Sequence, residues 1–443
     1  MSQPLVIRGG VILTLGEDNR VLRDHAIRVE DGRIHKIAPA AEVDAAGARV
    51  IDAAGKAVLP GWINAHMHFY STLVRGLGKA KPSRDFVDQL RNLWWRLDRR
   101  LTLDDTYVSA LVMAVAAVRS GTTTLIDHHA SPGAVRGSLD AIARAVKAAG
   151  LRACLCYEVS DRDGADVAQA GLEENAAFIR RCKEEKDPQL RALFGLHAAF
   201  TLGDATLDRA AAMGRELGAG FHVHTAESPA DQEYNMREHG QRVVRRLRDH
   251  GLLGAGTICA HCVHVDDAEL DLLAETQTMV AHNPQSNLNN AVGIADLLAM
   301  ARRGITVGLG TDAMTVRMLE ELRVALWAQH LRQNGPTAAF MEVTDTLLVH
   351  NPAIASRLWG FPVGRLAEGA AADLILVDYD PPTSLEPATV RGHVVFGLSQ
   401  AAVDTTVVGG RVLMTGKRLE RDVDEAALAA RARELAASLW DRF

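Results

Sequence analysis

The sequence predicts a (β/α)8 barrel joined to a small β-sandwich that is built from both termini. Three observations carry this prediction. Eight short, apolar, β-branched runs alternate with helix-period segments through the middle of the chain. Polar side chains suited to metal binding gather at the C-terminal tips of these runs, where such a barrel keeps its catalytic groups. The two ends of the chain differ in texture: short alternating runs are broken by Gly and Asp turns, as antiparallel strands require.

The length fits. A chain of 443 residues with 48% hydrophobic content can bury a large core, and it is long for one domain. Residues 1–58 and 366–443 are assigned to the sandwich, and 59–365 to the barrel. LVIRGGVILTL, HAIRVEDGRIHKIAP and ARVIDAAGKAVLP supply strands at one end; DLILVDY, GHVVFG and TTVVGGRVLMTGKRL supply them at the other. An amphipathic helix, DEAALAARARELAASLW, closes that second part. The barrel strands are VLPGWINAHMH, TTTLIDHH, RACLCYEV, LRALFGLHA, GAGFHVHTA, TICAHCVH, TMVAHNP and TVGLGTDA. Helices such as DTYVSALVMAVAAVRSG and LDRAAAMGRELG separate them. No G-x-G-x-x-G follows the first strand, so a dinucleotide fold has no support. After that strand the chain is irregular until RDFVDQLRNLWWRLDRRL. There Leu90, Leu93, Trp94 and Leu97 form a packing stripe, while Trp95 lies off it, placed to cover a ligand.

Composition narrows the function. The net charge of -6 is mild and spread out, so neither nucleic acid nor an anionic membrane is an expected partner. No run of 18 apolar residues occurs, and MSQPLVIRGG reads as the start of a strand instead of a signal peptide. The five cysteines do not form a disulfide pattern, which predicts reduced thiols in a cytoplasmic protein.

The chemistry lies at the strand tips. His66 and His68 share a strand face, so two imidazoles can aim at one point. With His224 and Asp312 at other tips they suit one divalent metal ion, zinc ahead of iron. His222 shares the face of His224 and is a rival ligand, with a structural role favoured by its deeper position. Glu227 stands just past the third imidazole, where it can reach a substrate. His261 ends the sixth strand; His264, further out, reads as a loop residue. Such a metal lowers the pKa of a bound water to about 7. Asp312 is suited to accept the water's proton, Glu227 to feed protons to the ring nitrogen and leaving group, and His261 to steady the tetrahedral centre. His197 at the fourth tip, the His128–His129 pair at the second, and Trp95 overhang the same mouth and are expected to read the substrate.

VLPGWINAHMHFYSTLVRG, HVHTAES, CAHCVH, AHNPQSNLNN, GLGTDA and the terminal GRLAEGAAADLILVD together resemble the amidohydrolase superfamily. The branch is that of cytosine and 8-oxoguanine deaminases, S-adenosylhomocysteine deaminase and triazine hydrolases. NLWWRLDR and IDHHASP are most similar to SsnA-type aminohydrolases. The resemblance implies a metal on His66, His68, His224 and Asp312, with Glu227 and His261 at the proton-shuttling and sixth-strand positions. It also gives His197 a substrate-facing position, and Asn283 and Asn287 read as loop support. The fourth strand carries no lysine for carboxylation, so a second bridged metal is not expected. The function implied is hydrolysis at a cyclic amidine carbon of a purine, pyrimidine or triazine, releasing ammonia or an amine, by a homo-oligomer. The alternatives are hydrolytic dechlorination of a triazine-like ring and a non-catalytic metal-binding scaffold.

Overall fold

The computed structural model describes residues 3–443. Eight strands line the barrel: β1 (Trp62–Met67), β2 (Thr122–Asp127), β3 (Arg152–Leu155), β4 (Phe194–Ala198), β5 (Phe221–Thr225), β6 (Ile258–His261), β7 (Met279–His282) and β8 (Val307–Leu309). Every residue in them is buried, as expected for parallel strands covered on both faces. The ladders are parallel and fall into two arcs. One runs β1–β2–β3, and the other runs from β4 to β8 in order.

The arcs meet at two seams, and side chains complete both. Between β8 and β1 the backbone contributes a Met67–Asp312 bridge, with the amides of Thr311 and Asp312 donating to the His66 carbonyl. Below it, the Asn351 amide donates to the carbonyls of Ile63 (2.6 Å) and Leu309 (2.9 Å) and accepts from the Leu309 N–H at 2.8 Å. Asn64 donates to the Thr311 hydroxyl at 2.7 Å. At the other seam the predicted fourth strand is broken. Leu190–Ala192 stays with β3, while β4 pairs with β5. Asn175 fills the gap: it accepts from the Tyr157 N–H at 2.9 Å and donates to the carbonyls of Tyr157 (2.9 Å) and Gly195 (3.2 Å). A Cβ at Gly195 would collide with the Tyr157 carbonyl, so glycine is required for this close approach.

Strands from both ends of the chain form the second unit. Lys56–Pro60 lies between Val11–Leu13 and Leu374–Asp378, in a seven-stranded sheet that continues through Val403–Val408 and Arg411–Thr415. A four-stranded sheet packs against it through Leu5, Ile7, Ile27, Val29, Ile34, Val58, Leu374 and Leu376. The run VLPGWINAHMH therefore serves two sheets, with the change at Gly61, and the expected boundary after residue 58 falls inside a strand. Arg152 at the foot of β3 donates to both oxygens of Asp373 (2.8 and 3.0 Å), a buried clamp between the units.

The last helix, Glu425–Arg442, differs from expectation. It leaves the sandwich and packs on the barrel: Leu435 and Leu439 meet Tyr70, Leu73, Leu97 and Leu101. The Trp440 indole donates to the Leu73 carbonyl at 2.8 Å, and Arg96 donates to the Phe443 carbonyl at 2.7 Å. This helix thereby backs the segment after β1. That segment is helical from Phe86 to Arg100, with a π-turn at Leu90–Trp94. Among the described residues no single helix is long and apolar enough to cross a membrane.

Asn351→Leu is nearly isosteric but leaves three buried backbone groups without partners. Unsatisfied buried groups cost about 1–3 kcal/mol each, so a loss of at least about 3 kcal/mol is expected in chemical denaturation. A loss below about 1 kcal/mol would show that the β8–β1 seam does not depend on this amide.

Candidate metal centre and cavity

The strand tips converge as the sequence reading requires for His66, His68, His224 and Asp312. Nε2 of His68 lies 2.9 Å from Oδ1 of Asp312 and 3.3 Å from Nε2 of His224. Nε2 of His66 lies 4.0 Å from the same Asp312 oxygen. Each imidazole is oriented from behind through Nδ1. His66 pairs with Nε2 of His222 at 2.9 Å, His224 donates to the His197 carbonyl at 2.9 Å, and His68 donates to the His128 carbonyl. All three therefore present Nε2 to one point. This is the arrangement in which outer partners fix the tautomer of metal-binding histidines.

The donor set fits a divalent metal. Nε2 of His66 is fully buried without a hydrogen-bond partner, as is Nε2 of His261. Burial, reinforced by neighbouring imidazoles, holds His66 and His224 well below the usual histidine range, so both are neutral donors. At Asp312 burial opposes the charge, but the His68 hydrogen bond and surrounding imidazoles prevail and hold the carboxyl below its ordinary range. Ser286 also donates to Asp312. His66–His68–Asp312 and His66–His224–His261 each form a set whose donor atoms lie within 4.8 Å of one another.

Local strain aims several of these groups. Ala226, His261 and Asp312 have φ of 48°, 74° and 53°, values that non-glycine residues seldom adopt. Each lies where a strand turns into its loop. Glu227 follows the first of these turns and lines the cavity. Burial, together with the charge of Asp312, pushes its carboxyl well above the usual range. Oε2 of Glu227 is 3.6 Å from Nε2 of His261, which is 3.8 Å from Oδ2 of Asp312. The Asn287 amide donates to Nδ1 of His261 at 2.8 Å, leaving that ring's proton on Nε2. Asn287 thus supports the site itself as well as its loop. His264 lies in a loop, its Nε2 2.6 Å from the Val292 carbonyl oxygen.

The substrate-reading set divides. His197 and Trp95 line the cavity above the cluster, and Trp94 lines it too while packing on Tyr70. Burial pushes His197 down to about 3. His128 and His129 do not line the cavity. Both are fully enclosed: Nε2 of His128 donates to the His222 carbonyl at 3.0 Å, and Nε2 of His129 pairs with the Ser131 hydroxyl at 2.9 Å. Both lie past the end of β2, and these bonds hold their rings behind the cavity wall. Sequence reasoning passed over Glu158, just beyond β3, and the Asp98–Arg162 ion pair beside Trp95. The test that found His224, a polar residue at a strand tip, also finds Glu158 in RACLCYEV.

A parallel barrel with three convergent imidazoles, a carboxylate and a buried glutamate beside them defines a metal-dependent hydrolase. The chain belongs to the amidohydrolase family, whose profile matches residues 57–413. It is 33% identical over 423 residues to the 5-methylthioadenosine/S-adenosylhomocysteine deaminase of Desulforudis audaxviator, covering 93% of this chain and 94% of that one. It is 30% identical to the 5'-deoxyadenosine deaminase of Methanosarcina acetivorans, covering 96% and 97%. The crystal structure of an adenosine deaminase from Xanthomonas campestris with bound zinc superposes with a TM-score of 0.85, at 24% identity and 98% coverage of both chains.

His224→Ala and His222→Ala separate the two imidazoles of β5. The first removes a donor atom and should abolish stoichiometric metal binding. The second removes only the partner of His66, so it should weaken affinity by about 10- to 100-fold. Elemental analysis and chelator competition measure both, and the reverse order would exchange their roles.

Proposed function

We propose that this protein is a zinc-dependent deaminase that removes ammonia from the amino-bearing carbon of a purine-type cyclic amidine. One observation carries the reading: Glu227, His261 and Asp312 stand together beside three convergent Nε2 atoms. Three imidazole nitrogens and one carboxylate suit zinc, and one ion would rest on His66, His68, His224 and Asp312. The bound ion supplies a water that is acidic enough to react at neutral pH.

The chain's own groups supply the rest. Asp312 accepts a proton from the attacking water. Glu227, whose carboxyl burial and Asp312 push above the usual range, donates to the ring nitrogen as the adjacent carbon becomes tetrahedral. His261 donates from Nε2 to the developing oxygen. The proton on Asp312 then passes to the departing amine, the C–N bond breaks, and the hydroxyl proton of the tetrahedral centre returns to Glu227, leaving a carbonyl and ammonia. An amine must be protonated to leave, whereas chloride need not be. Asp312, having taken the water's proton, can supply it, so the site is equipped for deamination. The named activities of the curated relatives support the same reaction class. The five free cysteines support a cytoplasmic location. Exposed Trp327, Leu331, Met341 and Phe396 support a homo-oligomer.

Ammonia release from a panel of amino-heterocycles, using protein of measured metal content, tests the reading. Glu227→Gln keeps the volume but cannot cycle a proton. Its kcat should fall by about 10²- to 10⁴-fold with metal content unchanged. Unchanged turnover would remove Glu227 from the reaction, and loss of metal would make it a ligand.

A further inference from the structure

Just past the third strand stands a carboxylate that the reaction above does not use. Glu158 is buried on the cavity wall, and its two oxygens have different surroundings. Oε1 is fully enclosed, 3.2 Å from Nδ1 of His68 and 3.2 Å from Nδ1 of His128. Oε2 lies 3.8 Å from Nε2 of His197, beyond hydrogen-bond distance, and no described residue donates to it.

Hydrogen bonding fixes what these atoms offer. His128 donates from Nε2 to the His222 carbonyl, so a neutral ring turns a bare Nδ1 toward Glu158. Two lone pairs 3.2 Å apart repel, so a proton sits between Nδ1 and Oε1. Whichever of the two groups holds it, Oε2 is left as an acceptor. At His197 the Thr201 hydroxyl reaches both the Ala198 carbonyl (3.0 Å) and Nδ1 of His197 (2.7 Å); with its hydrogen on the carbonyl it accepts from Nδ1. That leaves Nε2 of the neutral ring as a second acceptor facing the cavity. Both groups also touch residues of the metal cluster: Glu158 meets His68, and the His197 carbonyl accepts from His224 at 2.9 Å. They therefore flank the reacting ring itself.

The geometry points to a substrate ring that carries N–H donors, a second amino group or a protonated ring nitrogen, on the edge read jointly by Glu158 Oε2 and His197 Nε2. This rests on the aminohydrolase reading and specifies which ring it serves. Apart from the amino group that is lost, a 9-substituted adenine offers only bare nitrogens and would set acceptors against acceptors. Sugar hydroxyls are the other source of paired donors.

The probes are purine and 2-aminopurine, as free bases and as ribosides, bound to metal-loaded protein in a calorimeter. None carries a 6-amino group, so binding is read without loss of ammonia from that position. 2-Aminopurine should bind about 10- to 100-fold tighter than purine, in both the free and ribosylated forms. Glu158→Gln turns an amide donor toward the same edge and should remove most of that ratio. If Glu158→Gln sheds metal, His197→Ala is the second variant, with the same expectation. Equal binding of the two rings, or a ratio that survives substitution, overturns the inference. A preference that follows only the ribose assigns the donors to hydroxyls and also overturns it. Ammonia release from adenine and 2,6-diaminopurine is measured in parallel. Ammonia from neither, with the binding ratio intact, would sink the deaminase reading and leave the recognition standing.

Discussion

Three buried asparagine amides hold the barrel where its backbone ladders stop. Asn351 and Asn64 join β8 to β1, and Asn175 joins the extension of β3 to β4. An amide can do this because it donates and accepts at once and so replaces a missing strand neighbour. The site depends on both seams. His66 and His68 rise from one side of the first seam and Asp312 from the other. Glu158 and His197 stand on opposite sides of the second. A slip at either seam would move donor atoms apart by more than the metal cluster tolerates.

The turns above these seams supply direction. Left-handed backbone at Ala226, His261 and Asp312 points side chains inward, in a conformation that costs of order 1–3 kcal/mol per residue. Such strain persists only where the surroundings over-determine it. Here the surroundings are the Asn287 amide on His261 and the Ser286 hydroxyl on Asp312, both from the helical turn after β7. Asparagine and serine in AHNPQSNLNN thus serve the chemistry directly, although a reading of the loop alone sees only support.

Much of this was legible in the sequence because the barrel imposes a simple rule. Apolar runs end in polar tips, and the tips converge. His66, His68, His224 and Asp312 obey the rule visibly. What stayed hidden required knowing partners. His128 and His129 also follow a strand, yet their rings are enclosed, held by the His222 carbonyl and the Ser131 hydroxyl. Glu158 obeys the rule but lies unmarked inside the run RACLCYEV, since a lone glutamate has no distinctive spacing. The last helix has ordinary amphipathic periodicity, and nothing in that pattern says which body its apolar face covers. The breaks at Gly61 and Leu193 were invisible because an apolar run does not reveal where it changes partners.

The pairing of Lys56–Pro60 with Leu374–Asp378 also governs how the chain comes to be folded. The register partners Lys56 and Asp378 lie 322 positions apart in sequence, and β1 continues directly from the first strand of the pair. During synthesis the first barrel strand therefore emerges attached to a strand whose partner does not yet exist. Contacts this distant in sequence bear the full entropy of loop closure before any reward, which makes their formation slow. The segment after β1 waits longer still, because its backing helix is Glu425–Arg442. The nascent protein thus holds an open apolar strand edge until Leu374–Asp378 arrives, and the wall of the cavity gains its backing only after that.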